Sequence, residues 1–578
     1  MSEQLPIGVC VLPEKGPNTA RTVTYPNYIF EILDHAGLFY RRLAMSNIES
    51  ALGDLGILVT IGETDLADSL KEKLARWVEA GGAWLSVGGT CGMDELVGAT
   101  RSPPEISSWG GGARSLGEGY LVALENTHPM LAHLKRPLHL FGGATVSATS
   151  AKVLARVDGK HGQPTDRPGI LERIVGNGRT ILITPNLTGT VVRIQQGVGV
   201  TRDGVPASDG TAAVDDHVLK ADDGAVLDWD FDRDPVPGTD GEYRCFLEPI
   251  ADLWREILLR AIFYLAREHS VSLALLWLYP RKLPALAHLS HDSDANEPKK
   301  AEDLLRLLDE AKIKTTWCII LPGYDAALTA KIKSAGHELA THYDALGEGT
   351  TWSEGDWQRQ HRELSKQFGE RPVSNKNHGT RWEGDCEFFE WCVRAGIQLD
   401  QTKSPSKTGE CGFTFGTCHP YFPVTYRGET IDCLELCTHV WDMPAWAPTS
   451  VFEPLLASVM LHHGIMHQLF HPFHTVKPEV ADAFRMSVRR AREEGLEWWT
   501  ARQINDWERT RRRVRVEKQS GASITLRAST ALSDATILRL DRESGDFTAW
   551  GFNFTAVVTS IQANTPIEIQ FPATPAAS

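Results

Sequence analysis

Cysteine is present in this 578-residue sequence without any pairing signal: ten residues are scattered along it with no Cys-x-x-Cys spacing. A disulfide framework is therefore not indicated. Basic charge is in short supply, since 59 Lys and Arg face 74 Asp and Glu for a formal net charge of -15, which argues against a nucleic-acid surface. The one basic run, Arg509 to Arg515, reads as the solvated face of a helix end. Long apolar runs are missing too. None reaches the roughly 18 residues a membrane span needs, and no charged stretch followed by an apolar one marks a signal peptide at the start. The expectation is a cytoplasmic protein that binds neither nucleic acid nor membrane. Nothing in the composition fixes its oligomeric state, and a homo-oligomer is allowed.

What remains is ordinary globular material, 42% hydrophobic and 23% charged, long enough for about three or four domains. The pattern divides it at 1–197, 198–272, 273–513 and 514–578. In the first part, short apolar strands such as Ile7 to Leu12, Ile57 to Ile61 and Ala83 to Val87 alternate with amphipathic helices, which predicts a doubly wound parallel sheet. The second part begins rich in Gly, Asp and Pro and ends in a helix from Glu248 to Arg267, reading as a linker and connecting helix. The third repeats strand then helix and predicts a (β/α) barrel, with chemistry at the carboxyl ends of its strands. The last alternates strictly, as in Ile537-Leu538-Arg539-Leu540, and predicts a small antiparallel β domain of accessory role.

The chain is organised around Ala287-His288-Leu289-Ser290-His291-Asp292-Ser293-Asp294. Residues two apart on an extended backbone project to one side, so Asp292 and Asp294 would share one small space at a strand's end. Two anions that close repel, and a cation between them with basic partners from elsewhere relieves the strain. His337, His342, His378 and His471 are the basic candidates, and together they make the inventory of a metal-assisted hydrolase.

The order of these motifs resembles the polysaccharide deacetylase (NodB-homology) family over roughly 230 residues. The resemblance implies that Asp292 is the general base and Asp294 a metal ligand. Gly336-His337-Glu338 followed by His342 resembles the family's second motif, making His342 a ligand and His337 structural. Leu346 stands where the second ligand histidine belongs; His378 is the substitute taken here, with Asp344 behind it. Arg381 takes the place of the arginine that pairs with the base, with Lys376 as runner-up, and His471 in Leu469-Phe470-His471 is the acid that protonates the leaving nitrogen. His474 competes for that role, and Trp382, Trp441 and Trp446 could wall a sugar site. The cofactor implied is a divalent metal ion, with zinc the first choice.

The first part resembles the glutamine-amidotransferase-like fold, in its ThuA-like and galactosidase-associated branch, through Gly88-Gly89-Thr90-Cys91-Gly92, Asn126 to Met130 and Gly176 to Thr180. Met93 occupies the place where a nucleophile elbow needs glycine, so Cys91 is expected to be a bystander thiol. The leading expectation is a metal-dependent hydrolase of a C–N amide bond, acting on an N-acetyl sugar or polysaccharide. Two others stand beside it: a hydrolase of a non-sugar amide or imide, and a silent carbohydrate-binding scaffold.

Overall fold

The computed structural model describes residues 5–13, 24–101, 116–204, 217–239, 241, 243–407, 409–542 and 545–572. It is a mixed α/β structure with a parallel half-barrel sheet and several antiparallel sheets.

In the first unit the strands Ile7–Val11, Ile57–Ile61 and Ala83–Val87 are buried almost throughout, as strands covered on both faces must be. The helices Tyr28–His35 and Asp68–Glu79 connect them. The sheet is parallel from Arg41–Leu43 through those three strands to Gly178–Ile183. Beyond that point it departs from the expected all-parallel form. Pro168–Val175, Lys152–Gly159, Glu118–Ala123 and Leu138–Phe141 pair antiparallel. The cause is local: Gly176, at φ +59°, and Asn177 leave only a two-residue turn between Pro168–Val175 and Gly178–Ile183. A parallel crossover needs a dozen residues or more.

The central sheet runs Leu434–Glu435, Leu399–Asp400, Ser374–Asn377, Glu338–Tyr343, Thr316–Ile319, Leu286–Asp292, Ile465–Leu469 and Val440–Trp441, all parallel, with Glu497–Trp498 added beside Leu286 and Ala287. Among the described residues no pairing joins its two outer strands, so the barrel is open on that side. Two strands run further than the apolar pattern indicates. Leu286–Asp292 continues through Ser290 and His291, and Glu338–Tyr343 continues through His342, because parallel neighbours on both sides satisfy their backbone groups. Register pairs Asp292 with Cys318, Cys318 with Ala340, and His342 with Lys376, so alternation puts Asp292, His342 and Lys376 on one face.

The C-terminal strands form the expected antiparallel sheets, Arg515–Gln519 with Ser523–Arg527 and Ile567–Gln570, and Leu532–Leu540 with Phe552–Ile561 and Phe547–Ala549. One boundary moves. Ala274–Leu276, expected inside the barrel, pairs antiparallel with Leu532–Leu540, so this sheet is completed by chain from before the barrel. No helix among the described residues is long and apolar enough to cross a membrane.

The connecting helix Ile250–Glu268 is buried on every face from Ile250 to Ala266, and its charges must find partners inside. Glu256 takes His462 Nδ1 at 2.7 Å and Arg260 at 3.1 Å. Beside it Glu508 binds His35 Nδ1 at 2.8 Å and Arg511 Nε at 2.6 Å, and Arg512 reaches Glu31 at 2.9 Å. The Arg509 to Arg515 run is therefore only in part a solvated face: Arg513 and Arg515 are exposed, but Arg511 and Arg512 turn inward. Arg511 is 2% exposed, and with Arg512 it ties the barrel's last helix, Ala501–Arg511, to the first unit. Removing one partner of such a buried pair costs about 3–5 kcal/mol.

This seam sets a pH dependence. Burial lowers the basicity of His462, but the charges and hydrogen bonds of Glu256 and Glu248 outweigh it and raise the imidazole from 6.5 to about 10. The folded value lies above the unfolded one, so the stabilisation is full below pH 6.5 and fades as pH rises through about 10. We expect the Tm of the wild type to fall across that window. Glu256→Gln should start lower and fall less steeply, and parallel Tm curves for the two proteins would contradict this assignment.

Candidate active site

At the carboxyl end of the central sheet, Asp292 closes its strand at 5% exposure, and Oδ1 of its carboxylate is buried without a hydrogen-bond partner. Ser293 and Asn296 pin the following turn: Ser293 Oγ accepts from Ile320 N at 3.0 Å, and Asn296 Nδ2 donates to Ile320 O at 3.0 Å. Within that turn Asp294 takes φ +40° and faces His342.

His342 is fully buried, and its Nδ1 lies 2.8 Å from the Lys376 carbonyl oxygen. A carbonyl only accepts, so Nδ1 carries the hydrogen. Nε2 is then left 3.2 Å from Asp294 Oδ1 and 3.9 Å from Asp292 Oδ2. A lone pair and carboxylates at these distances need a proton or a cation between them. For Asp294, burial favours the neutral acid, but the hydrogen bond and charge of His342, followed by the charges of His471 and His378, hold the carboxyl near 2.

His471 arrives from the end of Ile465–Leu469. Its backbone N–H donates to Asp442 Oδ1 at 2.7 Å and its Nδ1 to Asp442 Oδ2 at 2.5 Å, which aims Nε2 at Asp294 Oδ2, 3.5 Å away. Burial depresses the imidazole, but the charge and hydrogen bond of Asp442, with help from Asp292 and Asp294, raise it to about 9. Asp442 was not singled out in the sequence: 29 positions separate it from His471, and only the fold brings the two together. His474 lies in the next turn, its ring centroid 6.0 Å from that of His471, with Nδ1 3.0 Å from Lys477 Nζ and its basicity lowered by burial.

His378 stands at the rim, its ring centroid 5.4 Å from that of His342. Nδ1 is 3.0 Å from Asp344 Oδ1, leaving Nε2 free. Burial lowers its basicity, but Asp344 and then Asp294 reverse the sign and raise it. Leu346, 40% exposed, ligates nothing.

Arg381 does not pair with Asp292. The turn His378–Thr380, with Gly379 at φ +57° and Thr380 at +52°, swings the chain outward. The guanidinium accordingly bonds the Leu219 carbonyl at 3.0 Å and pairs with Glu383. The cation on the inner face is Lys376, fully buried one register step from His342, with Nζ 3.1 Å from Ser290 Oγ. Beneath it Ser290 meets His467 Nε2 at 3.0 Å, and His288 Nε2 lies 2.8 Å from Gln401 Oε1. His337 rests on Thr315 at 3.0 Å, away from the chemistry.

Among the three tryptophans, Trp382 is 1% exposed in a core cluster and walls nothing. Trp441 lies 6.4 Å from the His471 ring and 5.6 Å from Trp446, which is 46% exposed.

Two features lie elsewhere. Cys91, at φ +56° after the strand Ala83–Val87, has the backbone of a sharp strand-to-helix turn, but the thiol is buried, and burial with the Glu63 charge raises it to about 12. Asp252, Cys418 and His419 are the one group of three among the described residues whose possible ligand atoms all lie within 4.8 Å. Asp252 is already engaged by Cys418 N at 2.7 Å and Thr417 Oγ1 at 2.8 Å, with Arg255 3.6 Å away. Burial and the Asp252 charge keep the Cys418 thiol protonated, so this cluster is a hydrogen-bonded part of the ionic seam. At the barrel mouth Asp294 lies 3.2 Å from His342 Nε2 and 3.5 Å from His471 Nε2; His378 would have to turn its free Nε2 inward.

No family model matches the chain, and no curated protein matches it by sequence. Among solved structures it is similar to a protein named as a polysaccharide deacetylase from Mycobacterium smegmatis, at 17% identity and TM-score 0.31, over 40% of this chain and 92% of that one. It is similar to Puue allantoinase at 13% identity and TM-score 0.31, over 40% and 93%. A β-galactosidase from Bacillus circulans sp. alkalophilus shares 15% identity at TM-score 0.25, over 33% of this chain and 30% of that one.

All ten cysteines are free and buried, and buried thiols react slowly. The native protein should show no fast thiol towards a disulfide reagent and ten after denaturation; a single fast native thiol would show that one of these environments opens.

Proposed function

We propose that the chain is a metal-dependent hydrolase of a C–N amide bond, most simply of an N-acetylated sugar. The observation that carries this reading is the approach of His342 Nε2 to Asp294 at 3.2 Å, both atoms acceptors once Nδ1 is committed to the Lys376 carbonyl. In this reading a divalent cation, zinc first, would be held by Asp294 and His342, with His378 as third ligand once its ring turns Nε2 inward; each imidazole is bonded through Nδ1, which leaves Nε2 available. Bound there, such an ion would polarise the amide carbonyl and acidify water.

The chain's own groups supply the rest. Asp292, with one buried oxygen unpartnered, takes the proton from the attacking water. His471 Nε2 gives a proton to the departing nitrogen, and Asp442 holds its Nδ1 in place. Lys376, buried on the same sheet face, bonds Ser290 Oγ at 3.1 Å and forms no ion pair with Asp292, so neither it nor Arg381 pairs with the base. The Trp441 and Trp446 rings beside His471 favour a sugar over a small imide, since aromatic faces stack on sugar rings.

Metal content and turnover separate the two aspartates. Asp294→Ala should lose the ion. Asp292→Asn should keep it and lose turnover by about 10²-fold or more, because an amide cannot take up the proton. Equal loss of metal in both would remove Asp292 from the role of base.

His378→Ala is expected to weaken metal binding strongly; unchanged binding would pass the third position to Asp344. His471→Ala should lose about 10²-fold or more on an unactivated amide but little on an activated ester, with metal retained. His474→Ala should resemble wild type on both, and the reverse pattern would exchange their roles.

A further inference from the structure

Two loops form one side of the barrel mouth. One follows Ser374–Asn377 and carries His378; the other follows Leu399–Asp400 and carries Ser404, whose Oγ accepts Trp441 Nε1 at 2.7 Å. Both are held from outside by the interdomain segment around its helical turn Ala221–Gly224: the turn bonds the second loop, and residues before it bond the first. Just before it, Leu219 O accepts from Trp382 N at 3.0 Å and from Arg381 at 3.0 Å, and further back Val200 exchanges backbone bonds of 2.7 and 2.8 Å with Gly384. Inside the turn, Asp222 Oδ2 accepts from Ser406 Oγ at 2.7 Å and Ser406 N at 3.1 Å, and Asp223 pairs with Lys407.

Asp222 is 4% exposed, and its second oxygen, Oδ1, is buried without a partner that donates. Its neighbour is the Glu410 carboxyl, also 4% exposed. Two buried carboxyls in contact cannot both be ionised. Burial and the Asp222 charge push Glu410 well above the carboxylate range; burial also acts to raise Asp222, but the hydrogen bond from Glu410 and the Lys407 charge hold it below.

We propose that this turn, bonded through Asp222 to Ser406 and through Asp223 to Lys407 while Leu219 just before it holds Arg381 and Trp382, is the positioning element of the active-site mouth, setting the loop of His378 and the loop of Ser404 together. Asp222 touches no reacting atom; it acts through the loops, and the segment between the two larger units becomes part of the site's wall. The functional consequence rests on the amide-hydrolase reading, whereas the structural claim does not.

Hydrogen exchange followed by mass spectrometry on the full chain, without substrate or metal, tests it. In Asp222→Ala, exchange should speed up about tenfold or more in both 378–385 and 403–412, stretches far apart in sequence. Asp222→Asn should exchange close to wild type in both, because its amide oxygen still accepts from Ser406. Faster exchange confined to 403–412, or Asp222→Asn as loose as Asp222→Ala, would overturn the proposal. Should Asp222→Ala fail to fold, Ser406→Ala decides: loosening that reaches 378–385 supports the turn as a common anchor, and loosening that stays local overturns it.

Discussion

The hydrogen bond from His342 Nδ1 to the Lys376 carbonyl is the constraint on which the candidate site depends. It joins adjacent parallel strands, fixes the tautomer, and leaves a lone pair facing the carboxylates of Asp294 and Asp292. The same device recurs around it, with Asp442 on His471 and Asp344 on His378. Each ring is held at Nδ1 by a group that can only accept; His342 and His471 present Nε2 to Asp294 at the end of the sheet, while the Nε2 of His378 is left free at the rim. Loss of an anchor would free the ring to rotate, so these outer partners bear on chemistry as directly as the rings do.

Such precision needs a rigid surround. The first unit provides it through the connecting helix Ile250–Glu268, whose buried charges, with those of Glu31, His35, Glu508, Arg511 and Arg512, form a seam between the sheets. Ion pairs of this kind contribute little net stability against an apolar alternative, but breaking one is expensive. Their effect is to fix one arrangement of the units. The interdomain segment then runs from that seam to the mouth, where it holds the two loops beside the site.

Much of this was legible in the sequence. Alternation placed Asp292 at a strand's end, whereas Asp294 reaches His342 from the turn beyond it at φ +40° rather than along an extended strand; helix periodicity gave Pro298–Ala311 and Pro478–Glu493 to within a residue or so. Arg381, expected beside Asp292, lies away from it because sequence distance does not say where a strand stops and a turn bends outward; Gly379 and Thr380, both at positive φ, decide that. Asp442 had no local signal at all, since its meaning depends on a register 29 residues away. The basic run at Arg511 and Arg512 looked solvated because its acidic partner Glu31 lies at the other end of the chain. In the first unit, a Gly-Asn turn reversed the direction that strand and helix alternation implied.

The most direct measurement is a crystal structure of the zinc-loaded protein with anomalous scattering at the zinc edge. The account predicts a peak bonded to Asp294 and the Nε2 atoms of His342 and His378, with none at Asp252, Cys418 and His419. A peak only at the latter cluster, or none in zinc-loaded crystals, would contradict it.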